Sequence, residues 1–490
     1  MARSDLRRIR YGDGLHHPPN AQQPPSHFPA MIFPCGNDEP SARRRSSKQQ
    51  TNSVRKRRST RWGVLVPAVV LGWIPPLGAA ADPDTRVALI AAGSGVSEPT
   101  ARAARRLEDG RWEFQAAHAN HVLAPREFVV WGAPRENVHA GQVVLRGGGV
   151  LVADWLRIDA IGIAIGVHPR SLAAEPIWRD AVLPRGEVAG LIVHSSADPA
   201  SRDRVWNDLL EGERAQDEIR LDNGDRILGE IDDWTAPNGL RDGTTLRFKT
   251  EGEPLDIGWN RVEAVLFRGA PRTEPSNAAV VLGFRDGSLF RAESLAVDGP
   301  RIRLIGGGIE LSADAESLWT NVCHVRSLVA PVRYLSDLES VGFKHIPMLN
   351  REWPFERDRS AARGRLRSKE RGGPSSAPID VWHEKGLGLH ATSRVAYDVP
   401  DGAARLDASI GVDSGSGDEG SVIFRVYGET ESGEFQLAFE SPIVRAGEPP
   451  RPISVPLARF RRLALIADSA DRLDIGDHAD WLLARFVMAP

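Results

Sequence analysis

The sequence predicts an all-β protein, a β-rich and repeat-like region followed by a C-terminal β-sandwich. Between Asp82 and Ala330, apolar residues come in short alternating runs punctuated by glycine, the period of strands with one buried face. Asn223-Gly224 and Asp286-Gly287 stand between such runs, and these dipeptides tolerate the positive φ of tight hairpins. From Pro331 onward, seven or eight further short strands separated by turns have the spacing of a sandwich.

At 490 residues the chain exceeds one comfortable core, so several domains are expected. Hydrophobic residues at 41% and charged residues at 26% are ordinary for a folded protein. The formal net charge of −3 gives no electrostatic footprint for nucleic acid, which leaves that partner class out. Cys35 and Cys323 have no metal-ligand or redox spacing near them, so neither a disulfide framework nor a zinc site is expected. Cys323 reads as a buried thiol acting as a small hydrophobe.

Residues 1–53 are rich in Pro, Arg, Ser and Gln without periodicity, and read as disordered or as an over-extended start. Residues 54–81 read as a secretory signal. Arg55, Lys56, Arg57, Arg58 and Arg61 form the basic flank, Trp62–Ile74 the apolar core, and Ala79-Ala80-Ala81 the small-residue ending. The core is shorter than the ~20 residues of a spanning helix and contains Pro67, so stable membrane insertion is not expected. Cleavage is expected after Ala81, giving an extracytoplasmic chain that begins at Asp82.

Within 82–330 a unit recurs. Its first half is a strand, a Gly-containing turn and a second strand, as in Val143–Trp155, Ile219–Ile231 and Val280–Ala292. Its second half is a closing strand, as in Val122–Trp131, Val182–Ile192 and Asp256–Phe267. The spacing is uneven, so small barrels or sheet layers fit better than a strict solenoid. One helix interrupts the strands. Asp198 caps it, Pro199 takes the first helical position, and Val205, Trp206, Leu209 and Leu210 form an apolar stripe that reads as core. No H-E-x-x-H, phosphate loop or paired carboxylates in a diagnostic context occur, so no catalytic residue is assigned.

The final region, 331–490, opens with Val332–Glu339, a strand and turn. A polar, Arg-rich stretch from Glu352 to Ser376 reads as a solvated loop by composition. Five features then fall in order: Tyr334-Leu335-Ser336-Asp337, Lys385-Gly386-x-Gly388-x-His390-Ala391-x-Ser393, Gly411-Val412-Asp413, Gly420-Ser421-Val422-x-Phe424-x-Val426, and Asp477-His478-x-x-Trp481. This series resembles the NPCBM family of carbohydrate-binding modules, found attached to some glycoside hydrolases. The resemblance implies a jelly-roll sandwich related to galactose-binding-like domains, with a glycan or polysaccharide as partner.

Sugar recognition needs an aromatic face for the ring and polar groups for its hydroxyls. Trp382, His383 and Tyr427 are the carbohydrate-binding candidates; Trp382 and His383 suit a loop edge or a packed position equally. His390, Asp477, His478 and Trp481 read as a structural polar cluster. His390 is expected to be at least partly buried and hydrogen-bonded to Asp477 or to adjacent loop backbone, and Trp481 to lie in the core. Asp413, Asp418 and Glu419 gather carboxylates in a Gly-rich loop that either holds a structural calcium ion or is merely solvated. No other cofactor is expected. The sequence thus describes an exported, non-catalytic protein with a terminal carbohydrate-binding-type module. The alternatives are a glycoside hydrolase with its catalytic part in 82–330, or a protein–protein adaptor whose sandwich no longer binds sugar.

Overall fold

In a computed structural model of the chain, the described residues lie between 87 and 489, excluding 92–99, 117–119, 167–176, 179–180, 232, 236–243, 271–276, 349, 371–378 and 472–473. The segment read as a signal lies outside them. Strands dominate throughout, and no helix among the described residues is long and apolar enough to cross a membrane.

One pairing recurs in the region before Pro331. The first strand of each hairpin lies antiparallel to the closing strand: Gln142–Leu145 with Val188–Ile192, Asp217–Leu221 with Val262–Leu266, and Val280–Phe284 with Val322–Ser327. Val87–Ala91 pairs with Phe128–Gly132 in the same way. Closing strands then pair with each other, Leu191 opposite Val265 and Val325 opposite Trp131. Leu289 opposite Val150 completes the link, and the result is one sixteen-stranded path. Gly224 and Gly287 take φ of +88° and +96° in the hairpin turns, a region in which a Cβ is disfavoured.

The second-half segments differ from the expectation of single strands. Ala181–Pro184 belongs to a separate four-stranded sheet, a 3-10 turn follows at Arg185–Glu187, and only Val188–Ile192 enters the large sheet. Trp259–Arg261 interrupts the Asp256–Phe267 segment likewise, and Trp259 is buried there against Trp155 and Trp234. The Arg185–Glu187 turn carries the chain from the four-stranded sheet into the large one, and the Trp259–Arg261 turn separates two strands of the large path, breaks that an alternating pattern does not signal. The helix Pro199–Leu210 forms with Asp198 accepting a hydrogen bond from the Ser201 amide. A second, short helix, Ala315–Asn321, capped by Asp314, was not expected.

The C-terminal region is a sandwich of two six-stranded sheets. The first runs Glu356–Arg357, Gly386–His390, His478–Met488, Ala403–Val412, Arg451–Pro456, with Val332–Tyr334 also paired to His478–Met488. The second runs Gly342–His345, Ser393–Asp398, Phe460–Ser469, Ser421–Thr430, Phe435–Glu440, with Val444–Arg445 paired to Ser421–Thr430. Alternate residues of both sheets meet in a separate core that includes Leu387, Leu389, Tyr397, Ile410, Val426, Leu465 and Phe486. Trp481 is fully buried in it, its ring edge-on to Phe424 at 5.2 Å.

The basic stretch Glu352–Ser376 is not a solvated loop in its described part. Leu366–Glu370 pairs with Ile379–His383, and Leu366, Arg367 and Ser368 are buried. Its arginines dock on the helix Pro199–Leu210. Arg367 makes a two-pronged ion pair with Asp203, at 2.8 Å through Nη2. Arg365 lies within 3.3 Å of Glu136, over the rings of Trp206 (4.2 Å) and Trp382 (4.9 Å). Burial alone would raise the Glu136 carboxyl, but Arg365, Arg202 and Arg367 outweigh it and hold it at about 2. Composition showed the arginines but not the acids that meet them from elsewhere in the chain.

Candidate functional site

The sugar-binding candidates from the sequence do not share a surface. Trp382 is 9% exposed and packs with Val205, Trp206 and Leu209 of the helix, so it belongs to the joint between the sandwich and the preceding region. His383 Nε2 is 2.8 Å from the Ser368 hydroxyl, and burial followed by the neighbouring His324 lowers the ring to about 4. Beside it Glu384 accepts from Arg326 at 3.0 and 3.2 Å and from Arg291 at 3.1 Å. Tyr427 stands half-buried in the second sheet, between Leu437 and Ala464.

The acidic loop does not converge on an ion. The Asp413 carboxylate turns inward to accept from the backbone amides of Arg367 (3.0 Å) and Gly415 (2.8 Å), while Asp418 and Glu419 point to solvent. Next to Asp413, burial and that neighbouring carboxylate push Asp480 well above the carboxylate range. Among the described residues, no group of three or more His, Cys, Asp or Glu is arranged to hold a metal. A calcium site at these residues therefore does not fit.

A different constellation lies at one end of the sandwich, where His390 and His478 pair across adjacent strands. Trp353, from the arginine-rich stretch, stacks on His390 with ring centroids 4.8 Å apart and planes 7° from parallel. His478 stands 5.3 Å from His390 and 5.4 Å from Trp353, and His345 meets His390 edge-on at 5.6 Å. The exposed Arg351 guanidinium lies 4.1 Å from the centre of the Trp353 ring. Ile346 N donates to Thr392 O and Ala391 N donates to Asp477 O, which ties the three segments together at their ends.

Hydrogen bonds assign the imidazole protons. His390 is 5% exposed, and its Nδ1 donates to the Ala391 carbonyl at 2.6 Å, leaving Nε2 as an acceptor. His345 Nδ1 accepts from the Trp353 amide at 3.1 Å, so its proton sits on Nε2, which is buried without a partner. His478 Nδ1 is also buried and unpaired. Burial lowers all three rings, His478 to about 4, and their mutual proximity adds to the effect for His345 and His478. At neutral pH the cluster therefore offers uncharged donors and acceptors beside an indole and a guanidinium, the chemistry that pairs with hydroxyls on a ring having an apolar face.

Asp477 supports this end rather than facing it, with Oδ1 accepting from the Ser421 amide at 2.7 Å. Trp353, Arg351 and His345 were missed in the sequence. The available signal was a Trp and a Phe, at positions 353 and 355, inside a stretch otherwise fit only for solvent.

The chain is similar to an alpha-1,3-galactosidase B from Akkermansia muciniphila, 37% identical over 115 residues, which are 22% of this chain and 14% of that enzyme. It therefore spans a small fraction of that relative's length. Among solved structures it is similar to CBM51 from Clostridium perfringens GH95 in complex with methyl-galactose (23% identity, TM-score 0.27, 32% of this chain and 99% of that one). It is also similar to CBM51-2 in complex with GlcNAc and INT domains from Clostridium perfringens ZmpB (20% identity, TM-score 0.27, 40% of each chain). Residues 332–487, which make up the C-terminal sandwich, match the NPCBM/NEW2 domain, a family of carbohydrate-binding modules.

Proposed function

We propose that the chain is an exported, non-catalytic glycan-binding protein whose sandwich captures a neutral sugar at the Trp353 end. The observation that carries this reading is the cluster itself: Trp353 backed by His390, Arg351 against its ring, and unpaired nitrogens on His345 and His478. A buried polar atom without a partner costs about 1–3 kcal/mol, so a ligand hydroxyl that moves into the cluster recovers free energy there. The match of residues 332–487 to a carbohydrate-binding family supports sugar binding by the sandwich, and the galactosidase relative makes galactosides the first ligands to test. Export rests on the basic flank, apolar core and A-x-A ending of residues 54–81.

A single shallow site of this kind binds weakly, with Kd on the order of micromolar to millimolar. Titration calorimetry of the purified chain with methyl α-galactoside should show such binding, and a chromogenic aryl galactoside should be left intact. Turnover of the aryl galactoside would replace this reading with an enzyme, and silence in both assays with a protein adaptor.

A further inference from the structure

We propose that a second ligand site lies in the joint between the β-rich region and the sandwich, and that it takes an anionic saccharide by its carboxylate or sulfate group. A cleft of about 550 Å³ opens there, within the ~300–1,000 Å³ of small-ligand pockets. Arg146 and Arg291 line it from the β-rich region, Arg357, Arg359 and Arg365 from the arginine-rich stretch, and Trp382 from the strand Ile379–His383. The cleft is separate from the Trp353 end. Its Asp358 accepts from the Gly386 amide at 3.1 Å, where the strand Gly386–His390 begins, whereas His390 closes that strand beside Trp353.

Charge and hydrogen bonding both favour an oxyanion. Five arginines line the cleft against three carboxylates, Glu356, Asp358 and Glu384, and each of the three is already answered. Glu384 bonds both Arg291 and Arg326, Asp358 accepts from Lys385 Nζ at 2.9 Å, and burial pushes the Glu356 carboxyl up toward its uncharged form. The arginines are held in place by partners of their own. Arg146 donates to the Arg268 and Ala270 carbonyls at 2.6 and 2.9 Å, Arg359 pairs with Glu211, and Arg365 pairs with Glu136 over the rings of Trp206 and Trp382. Guanidiniums fixed in this way meet carboxylate or sulfate oxygens with little further ordering cost. Two buried donors on lining residues, Trp382 Nε1 and Arg365 Nε, have no hydrogen-bond partner, so the demand left in the cleft is for acceptors. A neutral sugar brings hydroxyls but no charge to set against the arginines.

The test is calorimetric titration of the full chain with methyl α-galacturonide, galactose 6-sulfate and methyl α-galactoside. The R357Q/R359Q double variant removes the two most exposed guanidiniums of the cleft. It should weaken the anionic sugars about tenfold and leave the neutral galactoside unchanged. Trp353→Ala should do the reverse, keeping the anionic sugars and losing the neutral one. Added salt should weaken the anionic sugars more than the neutral galactoside. Binding of one anionic sugar alone supports the site and names the group it takes. Should the double variant fail to fold, anionic binding that persists in Trp353→Ala supports the cleft. Binding of neither anionic sugar, anionic binding that survives R357Q/R359Q intact, or anionic binding lost with Trp353 would overturn the inference. The neutral galactoside alone tests the Trp353 site, so either site can fail without the other.

Discussion

Replacing Asp203 by alanine removes both acceptors of the Arg367 fork at the joint between the helix and the sandwich. The side chains are 4% and 7% exposed, so solvent screens the pair little. Removing one partner of a buried ion pair leaves the other charge uncompensated, at a cost of roughly 3–5 kcal/mol. Asp203 Oδ2 also accepts from the Arg365 backbone amide at 3.0 Å, which loses its partner as well. Glu136 remains 3.4 Å from Arg367 Nη2, which places the expected loss near the lower bound. Denaturant unfolding followed by tryptophan fluorescence should therefore show Asp203→Ala destabilised by about 3 kcal/mol, with Trp206 and Trp382 reporting from the joint. Trypsin should then cut at Arg359, Arg363 or Arg365, which docking otherwise holds against the helix. Removing both charges in Asp203→Ala/Arg367→Met should cost less than the sum of the single changes, because no buried charge is left unpaired. A loss below about 1 kcal/mol, the value of an exposed pair, together with unchanged trypsin resistance would refute the docked joint.

Trp353 and Trp382 should respond in opposite ways. Trp382→Ala should lose about 3–5 kcal/mol of stability by opening a cavity in the joint, with galactoside affinity in the folded fraction retained. Trp353→Ala should lose galactoside binding while the thermal midpoint moves little, since its ring is half-exposed; intact binding would move the site elsewhere. His478 and His383, held at about 4 against an unfolded value near 6.5, take up protons in the unfolded chain first, so denaturant midpoints should fall as pH drops from ~6.5 to ~4. Glu136, held at about 2, contributes stability above its unfolded value near 4.3 that is lost as pH falls toward 2, which extends the decline to lower pH. A midpoint flat from pH 7 to 4 would contradict the neutral imidazole cluster. Asp480→Asn should change stability at pH 7 by less than about 1 kcal/mol, because burial and the Asp413 carboxylate favour the uncharged form that Asn mimics; a large loss would show that Asp480 is ionised.

What the sequence determined by itself is what neighbouring residues decide. The Asp198-Pro199 start of the helix, the Asn223-Gly224 and Asp286-Gly287 turns and the ordered series from Tyr334 to Trp481 are local patterns, and helix, hairpins and sandwich are where they indicated. His390 is buried and bonded to the adjacent Ala391 carbonyl. Only the tertiary structure decided which charges and rings meet. Arg365 and Arg367 look solvated until Glu136 and Asp203 arrive from distant segments, and Trp382 suits a loop edge until the helix covers it. The Asp413 loop carries the composition of a cation site, but its one buried carboxylate is turned toward the Arg367 amide. Trp353 reaches His390 and His478 because three chain segments close at Ala391-Thr392. Periodicity and turn chemistry act over a few residues and can be read along the chain, whereas a buried charge or a stacked ring takes its meaning from a partner that only chain closure supplies.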